Sequence, residues 1–395
     1  MRLPLATATW DECEYQAIQD VVESGMFSMG PKVKAFEEAF AKYVGSKFCV
    51  MVNSGSSANL LAIAALRYRK QGMALHPGDE VIVPAVSWST TYSPLYQYGL
   101  KIKFVDVDPN TLNICLDALE QAITDDTKAI MSVNLLGNPV DYTRVKHLAH
   151  QKSILLIEDN CESLGASLDG KQAGTFGVLG TFSSFFSHHI STMEGGMVVT
   201  DDEELYHIML SLRSHGWTRH LPFDNRVCDK SDNDFDESFR FVLPGYNLRP
   251  LEMSGALGLE QLKKLDKLID GRRKNAAAFK MAFSDIEGVR VQKEVGSSSW
   301  FGFSIVLEKY PDLREGLISS LVDRGVDCRP IVAGNFANNS VVDYFDSTIH
   351  GSLVNADEVD RCGFFIGNHH HDVSDELFQI AEFIKAFLKD RGAKC

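Results

Sequence analysis

The sequence predicts an α/β protein with a large, mostly parallel sheet, followed by a smaller α+β domain at the C-terminal end. Short apolar segments alternate with helical ones from Phe48 to Thr200, and repeated βα units of this length form parallel sheets with helices on both faces. Beyond a long helical pattern that ends near Phe283, strands and helices follow without strict alternation. The 395 residues suffice for two domains, which we expect to cover residues 1–260 and 261–395.

The predicted elements follow this order along the chain. An acidic first turn favours a helix over Asp11–Ser24, and a proline at its opening favours a second over Pro31–Tyr43. The alternating region is predicted to have strands at 48–52, 80–84, 101–107, 128–134, 153–159 and 197–200, with helices from 60 and at 90–98, 142–151 and 202–214. The C-terminal part is predicted to have helices at 250–283, 312–324 and 374–388, with strands at 289–292, 299–307 and 326–330.

A serine-rich segment joins the first predicted strand to a helix. The strand Phe48–Val52 runs into Asn53-Ser54-Gly55-Ser56-Ser57-Ala58-Asn59, and an apolar helical stretch follows. Small residues there leave backbone N–H groups and hydroxyls free at the positive end of a helix. The segment is therefore a candidate phosphate site, and a simple helix N-cap is the alternative.

Three polar or aromatic residues follow predicted strands, at the sheet edge where α/β proteins bind ligands: Trp88, Asn134 and Asp159. Asp159 ends a run too apolar for an exposed strand, so its carboxylate lies near a buried edge, where an unpaired charge is unfavourable. A cationic ligand group would pair with it, whereas a helix-capping role needs no ligand. Trp88 offers a flat ring for stacking, although large aromatic residues are more often part of the core.

The segment Thr181–Asp201 combines an aromatic run, the pair His188-His189 and the turn Gly195-Gly196. An apolar strand that delivers polar side chains into a glycine turn is suited to a binding site. Taken alone, the pattern favours an ordinary hairpin.

A longer pattern in this segment carries a resemblance to a known family. Ser183-x4-His188-x-Ile190-x3-Glu194-Gly195-Gly196 resembles the cofactor-anchoring segment of the DegT/DnrJ/EryC1/StrS sugar aminotransferases. These are pyridoxal-phosphate (PLP) enzymes of the aspartate-aminotransferase fold (fold type I), with a lysine at the position of His188. No lysine occurs between Gln172 and Asp229. Members of the family with a histidine at this position are deoxysugar 3-dehydratases.

The resemblance also implies which residues bind the cofactor. It places hydroxyls on the phosphate, an aromatic ring against the cofactor ring, a carboxylate on the pyridine nitrogen, a second polar group near the cofactor, and an asparagine that crosses a dimer interface. The residues in these roles are Ser56, Ser57 and Ser183, then Trp88, Asp159, Glu162 and Asn247. We therefore expect a homodimer with shared active sites. A turn asparagine ahead of Pro250 is the alternative for Asn247.

A histidine in place of the lysine changes the expected reaction. His188 cannot hold the cofactor in a stable Schiff base, but its imidazole can still move protons near neutral pH. The resemblance implies a dehydratase that uses PLP and pyridoxamine phosphate (PMP) to remove the C3 hydroxyl of a nucleotide-linked 4-keto-6-deoxyhexose. L-Glutamate would regenerate PMP, and ammonia would be released. The adjacent His189 is the rival base.

The resemblance favours GDP-4-keto-6-deoxy-D-mannose as the substrate, on the route to lipopolysaccharide O-antigen sugars such as colitose, and leaves a CDP sugar open. Two other functions compete with dehydration. One is an ordinary sugar aminotransferase that uses another lysine, and the other is a catalytically inert regulator with a PLP-enzyme fold.

Composition narrows the remaining function classes. The net charge of −14 argues against a general nucleic-acid binder. No run of signal-peptide or membrane-spanning character is evident, so we expect a cytoplasmic protein. The eight cysteines are scattered without a C-x-x-C motif, which favours reduced thiols and argues against a zinc site or an iron–sulfur cluster. Adjacent residues of an extended chain face opposite ways, so His369-His370-His371 is not expected to bind a metal.

Overall fold

The computed structural model describes residues 1–392 of the chain. In chain order its helices are α1 (Glu12–Ser24), α2 (Pro31–Val44), α3 (Gly55–Tyr68), α4 (Ser89–Gln97), α5 (Leu116–Ala122), α6 (Tyr142–Lys152), α7 (Glu203–Leu212), α8 (Asp234–Glu237), α9 (Glu252–Phe283), α10 (Arg314–Val322), α11 (Val354–Cys362) and α12 (Ser374–Gly392). Within the described residues, none of these helices is both long and apolar enough to span a membrane.

The strands alternate with these helices over the first half of the chain. They are β1 (Phe48–Val52), β2 (Glu80–Pro84), β3 (Lys101–Val105), β4 (Thr127–Val133), β5 (Leu155–Asp159), β6 (Ser167–Leu168), β7 (Lys171–Gln172), β8 (Leu179–Ser183), β9 (Gly196–Thr200), β10 (Val289–Val291), β11 (Gly302–Leu307), β12 (Cys328–Arg329), β13 (Ser347–Ile349) and β14 (Gly363–Gly367).

The large sheet has eight strands in the order β1-β9-β8-β5-β4-β2-β3-β13. All neighbouring pairs from β8 to β13 are parallel, whereas β9 runs antiparallel to both β1 and β8. The central strands β2, β4, β5 and β8 are almost wholly buried, since helices cover both faces of a sheet built from βα units. The predicted α/β class with a mostly parallel sheet is confirmed.

This topology brings distant parts of the chain to one sheet edge. The parallel strands all end at the same edge, and their carboxyl ends lead into the loops that carry Trp88, Asp159 and Ser183. β8 ends at Ser183, the antiparallel strand β9 starts at Gly196, and the segment between them contains His188. The order and direction of the strands therefore bring the candidate residues close together.

A smaller four-stranded antiparallel sheet, β10-β11-β14-β12, forms the C-terminal part. It packs with α9, α10 and α12 around its own apolar core, which includes Phe279, Trp300 and Phe303. The 32-residue helix α9 passes through the predicted boundary at residues 260 and 261. Because the same helix also packs against α1 and α2, the two-domain division stays a prediction.

One strand returns from the C-terminal part to the large sheet. β13 pairs in parallel with β3, where Ser347 lies opposite Ile102 and Ile349 lies opposite Phe104. Beyond it, the backbone amides of Asn355 and Ala356 donate to the carboxylate of Asp106 at 3.0 and 2.8 Å. Neither β13 nor β14 was among the predicted strands, and both add to the C-terminal part that the sequence left least resolved.

Candidate active site

The serine-rich segment forms the start of α3 at the sheet edge. Ser54 is the N-cap, and its hydroxyl accepts the backbone N–H of Ser57 at 3.1 Å. Ser56 faces a cavity instead, and its hydroxyl donates to Thr90 Oγ1 at 3.0 Å. The first-turn amides of a helix lack intrahelical acceptors, so this end of α3 is a favourable seat for an anion.

Two glycines allow the chain to pack tightly around this seat. A Cβ atom at Gly55 would lie 2.7 Å from Ser183 Cβ and 3.1 Å from Cys161 Sγ. A Cβ atom at Gly196 would overlap the carbonyl oxygen of Ser54. Any larger residue at either position would push β8 or β9 away from the start of α3, so the glycines keep Ser183 beside the seat.

Asp159, the last residue of β5, is held by a buried hydrogen-bond network. Its Oδ2 accepts Asn59 Nδ2 at 2.8 Å and Thr91 Oγ1 at 2.7 Å, and its Oδ1 accepts the Cys161 amide at 3.2 Å. Asn59 is itself fixed by Thr181 Oγ1, which donates to Asn59 Oδ1 at 2.6 Å. Only 5% of Asp159 is exposed, and it makes no ion pair with any residue of the described chain. A buried carboxylate without a counter-ion is suited to a cationic ligand group.

Glu162 lies three residues further on and lines the same cavity. Its Oε2 accepts the backbone N–H of Leu136 at 3.0 Å. Burial, with a smaller contribution from the charge of Asp159, raises the pKa of Glu162 to about 7, although the Leu136 hydrogen bond acts in the opposite direction. This carboxyl group can therefore donate or accept a proton near neutral pH.

The turn between β8 and β9 presents His188 to the cavity. Its backbone N–H donates to the carbonyl of Phe185 at 2.9 Å, and its ring lies close to the rings of Phe185 and Phe301, with centroids 5.9 and 5.1 Å away. Its Nδ1 is buried and has no hydrogen-bond partner among residues 1–392, so Nε2 is the nitrogen left to face the cavity. Burial, and then the charge of Arg272, lowers the pKa of His188 to about 4.

His189, the rival base, points elsewhere. Only 1% of it is exposed, and its Nε2 is 3.1 Å from the carbonyl oxygen of Ser299. It does not line the cavity. Of the adjacent pair, His188 is the residue that can reach a bound ligand.

The remaining predicted residues differ in where they lie. Trp88, at the start of α4, is 58% exposed and lines the cavity, so it is not part of the core. Ser183 also lines the cavity. Asn134 does not: its side chain is buried and bonds Asn160, Val140 and Tyr142 instead. The structure thus brings six predicted residues to one cavity of about 350 Å³, namely Ser56, Trp88, Asp159, Glu162, Ser183 and His188.

The sequence profile of the DegT/DnrJ/EryC1/StrS aminotransferase family matches residues 9–385. The chain belongs to this family. It is 57% identical over 388 residues to the GDP-4-keto-6-deoxy-D-mannose 3-dehydratase of Yersinia pseudotuberculosis, and the match covers 98% of each chain.

Two solved structures of a GDP-4-keto-6-deoxymannose-3-dehydratase are also closely similar. One, with a trapped PLP–glutamate geminal diamine, has a TM-score of 0.94 at 56% identity and covers 96% of this chain and 99% of its own. The other, a histidine-to-asparagine variant with bound GDP-perosamine, has a TM-score of 0.94 at 56% identity, and the match covers 98% of this chain and 100% of that one.

The cavity of this family member fits a pyridoxal cofactor. The buried, ion-pair-free carboxylate of Asp159 suits a protonated pyridine nitrogen, and the start of α3 with Ser56 and Ser183 suits a phosphate. The exposed face of Trp88 is available for stacking. No lysine lines the cavity within the described part of the chain.

Ser57 and Asn247 do not line the cavity of the single chain. Ser57 caps the first turn of α3, as described above. The backbone of Asn247 forms an antiparallel β-bridge with that of Ser214, and its side-chain Oδ1 accepts a hydrogen bond from Arg249 Nε at 3.0 Å. The cofactor-binding roles of these two residues stay predictions, as does the role of each residue in the cavity.

The triple histidine lies outside the cavity as well. His369 is buried and its Nδ1 is 3.1 Å from Thr7 Oγ1, while the rings of His369 and His371 stack at 5.1 Å. Over residues 1–392, no group of three or more metal-binding side chains is arranged around a common point.

Several site residues were missed at the sequence level. Asn59 lies at the end of the serine-rich segment, and its amide side chain in that segment could have marked it as a binding-site residue. Thr91 and Phe301 carry no local signal, because their partners are far away in the chain.

Proposed function

We propose that this protein is a PLP- and PMP-dependent 3-dehydratase that removes the C3 hydroxyl of a nucleotide-linked 4-keto-6-deoxyhexose. Its proposed substrate is GDP-4-keto-6-deoxy-D-mannose, and L-glutamate is the co-substrate. The observation that carries the proposal is the imidazole of His188, which lines the cavity at the position where the family resemblance expects a lysine, while no lysine of the described residues lines it. The 57% identity to a relative named for this reaction supports the choice of substrate.

In this proposal the chain's own residues bind the cofactor at both ends. When bound, the cofactor supplies an amine that is exchanged with the sugar ketone and a ring that withdraws electrons. Asp159 would hold the protonated ring nitrogen, and Ser56, Ser183 and the first turn of α3 would hold the phosphate. Trp88 would cover one face of the ring.

His188 performs the proton transfer. Its lowered pKa leaves the imidazole neutral at physiological pH, so Nε2 can accept a proton. The imidazolium formed in this way is a strong acid in its surroundings and gives the proton to the departing C3 hydroxyl. The oxygen leaves as water, L-glutamate is oxidised to 2-oxoglutarate, and ammonia is released.

An aminotransferase would retain the nitrogen on the sugar. The cavity offers no lysine among the described residues to attach and return the cofactor, which disfavours that alternative. The well-ordered hydrogen-bond network on Asp159 disfavours an inert regulator, because a site without function has no need for it.

We also propose a homodimer with shared active sites, in which Asn247 reaches the cofactor phosphate of the partner subunit. Asn247 lies outside the cavity of its own chain, which is consistent with such a role. Nucleotide sugars and glutamate are cytoplasmic metabolites, which supports a cytoplasmic location. The product would serve the synthesis of an O-antigen sugar such as colitose, and the protein would need neither a nucleic acid nor a membrane as a partner.

The direct test is to incubate the protein with PLP, L-glutamate and a panel of GDP-, CDP- and dTDP-linked 4-keto-6-deoxysugars. We expect a GDP-linked 3-deoxy ketone in the mass spectrum, with 2-oxoglutarate and ammonia formed in equal amounts. A stable aminosugar would instead establish an aminotransferase. Faster conversion of a CDP or dTDP sugar would contradict the proposed nucleotide.

A further inference from the structure

Arg272, in the middle of α9, is a buried cation that has no acidic partner among the described residues. Only 5% of the residue is exposed, and its Nη1 donates to the carbonyl oxygens of Phe301 at 3.0 Å and Asn368 at 2.9 Å, with a longer contact of 3.5 Å to that of Trp300. Burial is the one influence that lowers the pKa of Arg272, to about 10, so the guanidinium remains charged at neutral pH. A buried charge that is satisfied by carbonyl groups alone is energetically unfavourable and needs an explanation.

The carbonyl groups that Arg272 holds belong to the segment that packs on His188. Trp300 has a φ of +49°, a left-handed conformation that is strained for a tryptophan, and its backbone N–H donates to Ser298 Oγ at 3.0 Å. The ring of the next residue, Phe301, lies 5.1 Å from the ring of His188. The orientation of Phe301 therefore depends on backbone contacts that include Arg272.

The charges around His188 come from three directions. The carboxyl groups of Asp159, Glu162 and Glu194 and the thiol of Cys161 line the same cavity, and none of them forms a hydrogen bond or ion pair with His188. On its own turn lies His189, which is buried against Ser299. Behind the aromatic layer lies Arg272, with Arg273 beside it on α9; Arg273 donates to the carbonyls of Ser298 and Gly165.

We propose that Arg272 is a positioning residue for His188. It fixes the Trp300–Phe301 backbone so that the Phe301 ring packs on the imidazole, and it places a positive charge behind that ring. This inference rests on the proposed function in one respect, namely that the proton His188 accepts is the one transferred in the dehydration reaction. The arrangement itself is a property of the resting protein and is tested there.

The experiment is an NMR titration of protein labelled at the histidine rings, with the His188 signal assigned by its absence in His188→Asn. In the unaltered protein we expect His188 to titrate well below 6.5, the ordinary histidine value. Arg272→Gln removes the charge and should raise the midpoint by about one pH unit. Arg272→Lys keeps a charge and should restore most of the shift. Arg273→Gln, a change at the neighbouring arginine, is the matched control and should leave the midpoint of His188 in place.

Two results would overturn the inference. One is a midpoint near 6.5 for His188 in the unaltered protein, a measurement that needs no variant at position 272 and holds even if Arg272→Gln fails to fold. The other is an equal effect of Arg272→Gln and Arg272→Lys on activity without any movement of the midpoint, which would mean a purely structural role.

The pH dependence of product formation gives a second readout. In Arg272→Gln, the acidic limb of kcat should move to higher pH together with the NMR midpoint, while KM changes little. A protein that shows the expected titration but makes no deoxysugar would refute the proposed function and leave this inference standing. An active dehydratase whose His188 titrates normally would do the reverse.

Discussion

The two walls of the cavity hold their key groups in different ways. On one wall, both oxygens of Asp159 accept hydrogen bonds, and the donors are fixed by further partners. On the other wall, the His188 ring is held by the aromatic rings of Phe185 and Phe301, and its buried Nδ1 has no partner among the described residues. A carboxylate that accepts three hydrogen bonds is held in one orientation, whereas an imidazole held by ring contacts breaks no hydrogen bond at Nδ1 when it gains or loses a proton. The first suits permanent binding, and the second suits proton transfer.

The largest expected effect comes from removing the titrating group. His188→Asn should lower the rate of deoxysugar formation by about 100-fold or more, because general acid–base catalysis typically supplies that factor. Binding of the cofactor and of the GDP-sugar should persist, since the Asp159 wall is untouched; isothermal titration calorimetry measures both. His189→Asn is the control and should have a smaller effect. If His188→Asn kept nearly full activity, His188 would not be the base.

The second largest effect is expected from removing the negative charge of Asp159. Asp159→Asn should weaken cofactor binding by about 100-fold, because it removes the charge and sets an amide against several hydrogen-bond donors. The absorbance of cofactor retained after dialysis measures this loss. Asp106→Asn, which alters a buried aspartate outside the cavity, controls for loss of stability alone. Retention of the cofactor to within a few-fold of the unaltered protein would refute the pairing of Asp159 with the ring nitrogen.

A third test concerns Glu162, which is a carboxyl group like Asp159 but can exchange a proton near neutral pH. Its pKa rises from 4.5 to about 7 on folding, so between these values the folded state holds a proton that the unfolded state has lost. The free energy of unfolding should therefore fall as the pH rises through this window, by about 1–3 kcal/mol relative to Glu162→Gln. Urea unfolding of the cofactor-free protein at pH 4.5, 6 and 8 measures the difference. Glu194→Gln is the control from the same cavity. The prediction would be contradicted if the free energy of unfolding of the unaltered protein stayed level or rose with pH relative to that of Glu162→Gln.

The smallest effect comes from loosening the fixed wall without removing its charge. Thr91→Val deletes the donor 2.7 Å from Asp159 Oδ2 but leaves Asn59 in place. We expect a loss of about 1 kcal/mol in stability and less than a tenfold decrease in cofactor affinity. Thermal unfolding and cofactor titration measure the two. Ser93→Ala, on the same helix, is the control, and an equal loss in both variants would mean that the contact to Asp159 does not matter.

The contrast between the walls also shows what sequence could predict. Asp159 and Trp88 were found because each follows an apolar strand, and parallel strands end at a common edge. His188 was found because a family pattern surrounds it. Asn134 satisfied the same strand-end rule but turned inward onto Val140 and Tyr142, since strand geometry alone does not fix the direction of the following side chain.

The supporting residues were beyond the reach of sequence patterns. Thr91 contacts Asp159 from 68 positions away, and Arg272 reaches Phe301 from another element. Such contacts depend on how the helices pack, which no local periodicity encodes. The strand β13 was missed for a related reason, because three half-exposed residues, Ser347–Ile349, form no apolar run.

The return of β13 to the edge of the large sheet has a practical consequence for protein engineering. A chimera that exchanges everything after α9 with another family member would also exchange the strand that covers β3. A fragment that stops before Ser347 would leave the N–H and C=O groups on the outer side of β3 unpaired, and such an edge invites intermolecular strand addition and aggregation. Grafting at this junction therefore succeeds only when residues 347–349 travel with the N-terminal portion or are matched to it.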